Sequence, residues 1–243
     1  MNISEVAWTD IESFDADVAV IPVGSIEQHG PHAPLGTDWL TAAHLAEAVS
    51  TASTHNILVG PTIPVGIAEE HRHFAGTLWV SPDTFRSYVR ETVESLLTHD
   101  IDRCILVNGH GGNAAAIREI AEQITRDTDA IVAGFTWFDA IGEPLANLGH
   151  GGPLETAFIW HIRPELIHTD RIDLAAAEAS DRWGTWVAGV NIAVDTIEFT
   201  TSGVIGDPRE ASPERGAKLV DTAVSALGEL IDTLVEAETT HQT

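Results

Sequence analysis

The sequence predicts an α/β fold, a mostly parallel sheet with helices on both faces in three α/β/α layers. Three observations carry that expectation. Short β-branched apolar runs alternate with stretches of helical spacing. Polar, glycine-bearing loops follow those runs where parallel strands would end, the usual place for a site. No internal repeat or linker divides the 243 residues, so residues 1–243 are expected to form one domain.

The elements follow in order. Residues 17–23 (DVAVIPV) read as a buried strand closed by Gly24. Residues 38–50 have helical composition, with Leu40, Ala43, Leu45 and Val49 among the apolar positions. Residues 57–59 form the next strand. Ser81, Pro82 and Asp83 supply an N-cap, a proline at the first helical position and a first-turn acid, for a helix running to residue 98. Residues 104–107 read as a third buried strand, 108–113 as a loop and 114–126 as a helix. Residues 130–135 form a further strand. Residues 155–162 form a short helix stopped before Pro164. Residues 213–237 form a long C-terminal helix, and 238–243 are expected to fray.

Charge narrows the function. Twelve Lys and Arg stand against 37 Asp and Glu, a net −25, and Lys218 is the single lysine. Such a charge disfavours nucleic acid and anionic membrane as partners. Acids spread along the chain with almost no lysine point to a halophilic protein, in which salt screens self-repulsion. No apolar run approaches the roughly 20 residues of a membrane span. The first ten residues carry acids and no signal pattern, so a cytoplasmic protein is expected. Cys104, the one cysteine, lies in an apolar run as a core thiol, which excludes a cysteine-based zinc site.

The chemistry lies in clusters. Glu27, His29, His32 and Asp38 fall within twelve residues after the first strand. Glu27 and His29 are two apart, so an extended backbone turns both the same way. Gly30, Pro31, Pro34 and Gly36 give a turning loop that returns Asp38 to them. Imidazole and carboxylate together suit zinc, manganese or iron(II), against a plain reading of solvated histidines and a capping Asp. The second cluster, Asn108 to Asn113 (NGHGGN), lacks the glycine spacing and Lys-Ser/Thr of nucleotide loops, and His110 suits a metal ligand. Gly111, Gly112 and Asn113 are expected to face substrate. The third joins His150 to Glu155 through glycines, His150 as acid or base and Glu155 at a helix start, where acids are favoured for dipole reasons alone. His71 and His73, in a loop between a strand and the Ser81 helix, are candidates to line the pocket, as are Trp137, Trp160, Trp183 and Trp186 to stack on a planar substrate.

Together these clusters resemble the creatininase (creatinine amidohydrolase) family. The resemblance is carried by residues 22–38 (PVGSIEQHGPHAPLGTD), 108–113 and 150–156 (HGGPLET), and by 66–77 and 203–216. It implies a creatininase-like α/β/α fold and one or two divalent ions, Zn, Fe(II) or Mn. Glu27, His29, Asp38 and His110 are then metal ligands, with Asp38 bridging. Creatininases proper carry a glutamate ligand where this chain has Gly112, and the resemblance assigns that role to Glu155. It further implies a homo-oligomer, often a hexamer, and a small-molecule amide substrate.

The expected reaction is hydrolysis of a non-peptide carbon–nitrogen bond by metal-activated water. His150 moves the proton to the leaving nitrogen, and His32 and His71 help bind substrate. A Gly-Gly loop is usual in members other than creatininases. The substrate expected first is 2-amino-5-formylamino-6-ribosylaminopyrimidin-4(3H)-one 5'-monophosphate, deformylated in riboflavin and deazaflavin biosynthesis, with Arg72 and Arg209 as phosphate donors. Creatinine is the alternative, then a precursor peptide. A non-catalytic metal-stabilised protein and a phosphate-binding loop are the rivals outside this class.

Overall fold

The computed structural model describes residues 1–143 and 148–237. The segment expected to fray, 238–243, lies outside the described residues. In chain order the elements are α1 (Trp8–Glu12), β1 (Val18–Val23), α2 (Thr37–Ala52), β2 (Ile57–Val59), α3 (Pro82–Leu97), β3 (Arg103–Asn108) and α4 (Ala114–Asp127). Then come β4 (Ile131–Thr136), α5 (Pro153–Ile162), α6 (Ile172–Ala177), β5 (Trp186–Val187), β6 (Val190–Asn191) and α7 (Pro213–Glu236).

Strands β2-β1-β3-β4 form a parallel sheet in that order. Alternation along each strand divides the core. Val18 and Val20 of β1 face the layer of α2, α5 and α7, while Ala19, Ile21 and Val23 face α3 and α4. All six β1 side chains are buried, as a strand covered on both faces requires. Pro22 is tolerated in this inner strand because its missing N–H faces the β2 side, where β2 has already ended at Val59. There only the Pro22 carbonyl is used, accepting from Ile63 N–H at 2.9 Å. Amphipathic stripes fix the helices: Phe85, Val89 and Val93 of α3 are buried at a spacing of four. Each such side chain stabilises by about 1.5–3 kcal/mol on burial. Cys104 is buried in this layer, and burial pushes its thiol up to about 12, an unreactive state.

The strand order places the site. From β1 the chain moves to β2 on one side, and from β3 to β4 on the other. The carboxyl ends of β1 and β3 therefore flank a switch point, where loops diverge and leave a crevice. Residues 24–36 leave β1 there, and residues 109–113 leave β3.

The α5 helix begins at Pro153, two residues earlier than the sequence suggested, because proline is well placed in a first turn. The α6 helix and the β5-β6 hairpin were not anticipated. With six residues and two per strand, neither shows a readable period. No helix among the described residues is long and apolar enough to cross a membrane.

Candidate metal centre

Two glycines bring the start of α2 onto the strand ends. A Cβ on Gly24 would lie 2.3 Å from Trp39 N, and one on Gly109 would lie 2.1 Å from Asp38 O. Only glycine allows this approach, and it seats Asp38 between the β1 and β3 loops. Its carboxylate reaches both ways. Oδ1 is 3.1 Å from His29 Nε2, and Oδ2 is 3.3 Å from His110 Nδ1. Glu27 completes one side, with Oε2 3.2 Å from His110 Nδ1. Glu155, in the first turn of α5, completes the other, with Oε2 3.8 Å from His29 Nε2. That same oxygen accepts from Gly151 N–H at 2.7 Å, so Glu155 also holds its own helix entrance.

Three histidines share one arrangement. His29 Nδ1 donates to Glu27 O at 3.1 Å, His110 Nε2 to Ile67 O at 2.7 Å, and His150 Nε2 to Gln28 O. A carbonyl only accepts, so each contact fixes the N–H on that side of the ring. The second nitrogen of each ring is left for the carboxylates, His150 Nδ1 lying 3.7 Å from Glu27 Oε1. Backbone-anchored imidazoles of this kind are what metal-ligating histidines use to fix tautomer and direction. The His150 loop is itself held by paired backbone hydrogen bonds with Ile205, at 3.0 and 2.9 Å.

Every member of this cluster is at least nine-tenths buried, yet several atoms have no hydrogen-bond partner: both Glu27 oxygens, Asp38 Oδ2, His29 Nε2 and, beside them, His71 Nε2. Buried orphans on four side chains facing one space are costly unless a cation joins some of them. The sets Glu27–Asp38–His110 and His29–His150–Glu155 each converge closely enough to hold an ion. Nitrogen and carboxylate donors without thiolate fit zinc, manganese or iron(II).

Electrostatics agree. Burial acts to lower the His29 pKa, but Asp38 and Glu155 carry it well above the ordinary value. His110 is raised in the same way against burial, by Glu27 and Asp38. Burial acts to raise Asp38, and His29 and His110 pull it below the usual carboxylate range. His150 is lowered to about 4 by burial and by His29, and stays neutral. The same carboxylates that would bind a cation thus favour protons on His29 and His110, and cation and proton compete for those nitrogens. Loading should release these protons, and because fewer protons compete as pH rises, apparent affinity should rise with pH. Calorimetry of Mn²⁺ binding in buffers of different ionisation enthalpy reads the release; affinity independent of pH across neutrality would contradict it.

The remaining expected residues are placed differently. His71 enters the cluster, its Nε2 3.5 Å from Glu27 Oε1 and its ring stacked on His150 at 4.2 Å. His32 lies behind it, bonded through Nε2 to Thr156 Oγ1 at 2.8 Å, and burial then His29 lower its pKa to about 4. The Asn113 side chain is buried and tied at both ends, accepting from Ile67 N–H and donating to Gly24 O. It braces two loops. Gly111 borders open space, whereas a Cβ on Gly112 would lie 2.3 Å from Ile67 O and 2.5 Å from His110 Nε2. The loop has closed over the space a glutamate there would need. His73 sits outside, bonded to Asp195 Oδ2 at 2.9 Å.

Of the tryptophans, Trp137 is buried in the core and Trp186 is exposed. Trp183 caps the cluster, its ring edge-on to His71 and His150 at 5.8 and 5.9 Å. Sequence reasoning missed Gln28, although it stands between two expected ligands.

Residues 4–231 match the family described as creatininase, creatinine amidohydrolase. The chain belongs to the creatininase family. Family membership makes it a metal-dependent amidohydrolase, an enzyme acting on carbon–nitrogen bonds. The fold agrees: it is similar to the solved structure "Creatininase Mn", with a TM-score of 0.83 and 24% identity, over 97% of this chain and 99% of that one. Among curated relatives, the chain is 34% identical over 223 residues to the mycofactocin precursor peptide peptidase of Mycobacterium ulcerans. That alignment spans 86% of this chain and 83% of the relative. It is also 34% identical to the 2-amino-5-formylamino-6-ribosylaminopyrimidin-4(3H)-one 5'-monophosphate deformylase of Methanobrevibacter smithii, but over 105 residues, 42% of this chain and 44% of the relative.

Proposed function

We propose that this creatininase-family chain hydrolyses an amide at a centre held by Glu27, Asp38 and His110 on one side and His29 and Glu155 on the other, with Asp38 between them. The observation that carries the reading is the convergence of unpartnered buried carboxylate and imidazole atoms at the β1–β3 switch point. A divalent ion bound there supplies Lewis-acid polarisation of a carbonyl and a water made acidic. The protein's residues supply the rest. His150, neutral and bonded through Nε2 to Gln28 O, takes and returns a proton at Nδ1. Trp183 closes the outer side of His71 and His150, keeping bulk water from the reacting carbonyl.

The substrate with the broadest support is an amide of a precursor peptide, since the peptidase relative aligns along most of both chains. The formylamino-pyrimidine ribotide is the second reading, supported by identity over 105 residues. Its phosphate would have to compete with the acids that pair the two expected arginines. Arg209 is paired with Asp207 at 2.6 Å, and Arg72 with Asp195 at 2.8 Å. We further place the protein in the cytoplasm, as a homo-oligomer adapted to high salt; a melting temperature unchanged on dilution from molar KCl would argue against the salt adaptation.

The test is a three-arm assay in high salt on metal-free protein reloaded with Mn²⁺, Zn²⁺ or Fe²⁺. It follows new amine ends from precursor peptides, formate from the ribotide and creatine from creatinine. Metal-dependent product in one arm names the substrate. His150→Gln should lower that turnover about 10²–10⁴-fold with metal content unchanged. Full activity in that variant would remove His150 from the chemistry.

A further inference from the structure

Four imidazoles border the centre, and one of them is wired the opposite way. His29, His110 and His150 each give an N–H to a backbone carbonyl. His71 Nδ1 instead meets Gln28 Nε2 at 2.9 Å. The Gln28 amide cannot be turned over. Its Oε1 accepts from Gly30 N–H at 2.9 Å, and its Nε2 donates to Gly203 O at 2.9 Å. Flipping it would set oxygen against oxygen and N–H against N–H. The second amide hydrogen therefore points to His71 Nδ1, which must accept. The hydroxyl of Thr196, 3.1 Å from the same nitrogen, can donate as well. A neutral ring whose Nδ1 accepts carries its hydrogen on Nε2. That nitrogen is the one 3.5 Å from Glu27 Oε1, at the outer limit of a hydrogen bond, and neither of the two buried atoms has another hydrogen-bond partner.

We infer that His71 is a positioning residue and not a metal ligand: locked by Gln28 as the Nε2–H tautomer, it turns an N–H toward Glu27 across 3.5 Å and so biases that carboxylate electrostatically toward the centre. The inference rests on Glu27 being a ligand, as proposed above. It separates His71 from the three histidines around it, although the atoms of Glu27, His71 and His150 converge closely enough to suggest a third ion set. An Nε2 that carries hydrogen has no lone pair for a metal. Gln28, pinned to Gly30 and Gly203, becomes the part that decides which nitrogen of His71 faces inward.

The experiment measures bound metal by mass spectrometry and Mn²⁺ affinity by titration in the full chain, for His71→Ala, His71→Gln and Gln28→Glu. His71→Ala should keep the wild-type stoichiometry and lose about 10- to 100-fold in affinity, the usual effect of removing a ligand's supporting partner. His71→Gln keeps an N–H donor and should recover most of that loss. Gln28→Glu can only accept, so it should weaken binding as His71→Ala does. One ion fewer in His71→Ala, or no rescue by His71→Gln, or unchanged affinity in Gln28→Glu, would overturn the assignment. Should these variants fail to fold, ¹⁵N NMR of the Zn²⁺-loaded wild type decides directly. A hydrogen-free Nδ1 and a protonated, metal-free Nε2 on His71 support the inference, and the reverse overturns it. Glu27→Gln separates the two levels: undiminished metal affinity there would reject the centre itself, not the role of His71.

Discussion

Asp38→Asn is expected to lower turnover on the order of 10³-fold and to reduce bound metal below the wild-type amount. The size follows from what one group must do. Asp38 is the residue whose two oxygens face both halves of the cluster, Oδ1 toward His29 and Oδ2 toward His110. Asparagine keeps the shape but replaces one oxygen by an amide that cannot bind a cation. It also removes the charge that, with Glu155 and Glu27, holds protons on His29 and His110. Losing one preorganised electrostatic group costs about 10²–10³-fold, and losing part of the metal's hold adds to that. Metal analysis and kinetics on the same preparation check it. Wild-type stoichiometry with wild-type turnover would show that Asp38 is only a first-turn helix residue.

Gly109→Ala is expected to be nearly as damaging to activity, although residue 109 carries no chemistry. Its new Cβ would stand 2.1 Å from Asp38 O, within backbone that cannot rotate away. The start of α2 must retreat, and Asp38 with it. Overpacking of this kind destabilises by about 1–3 kcal/mol. A displacement near 1 Å at a reacting group costs about 10²-fold in rate. The variant should therefore fold, melt lower than wild type and turn over about 10²-fold more slowly, with weakened metal affinity. A circular-dichroism melt paired with kinetics separates the two effects. A lowered melting point with intact turnover would mean that Asp38 does not depend on this contact.

Much of the fold was legible in the sequence because its signals are local. The four strands are short apolar runs, the inner two almost wholly buried, and each lies within about two residues of its expected bounds. Ser81 caps α3 as its pattern suggests, accepting from Thr84 N–H. What stayed illegible depends on tertiary contact. The β5-β6 hairpin is too short to show a period, and nothing local shows that Trp183 reaches His71 and His150.

The cluster followed the same division. Glu27 and His29 two apart, His110 in a strand-end loop, and Glu155 at a helix start are local features, and the switch point collects them. His71 was expected against the substrate, but residue 71 lies in a turn whose direction the sequence leaves open. Gln28 alternates away from Glu27 and His29 along an extended stretch, so nothing local singles it out. Its contacts come from Gly203 and His71, 175 and 43 residues away in sequence, which no local pattern reveals. The absence of a glutamate at Gly112 was readable. That the loop fills its space, with Ile67 O and His110 against the missing Cβ, was not.

The most direct test of the centre is anomalous diffraction from crystals of the metal-free protein reloaded with Mn²⁺. The account predicts manganese density enclosed by Glu27, Asp38 and His110, a second peak if two ions bind lying beside His29 and Glu155, and His71 Nε2 outside both coordination spheres. Manganese elsewhere on this acidic surface, with the cluster of Glu27, Asp38 and His110 empty at full loading, would contradict it.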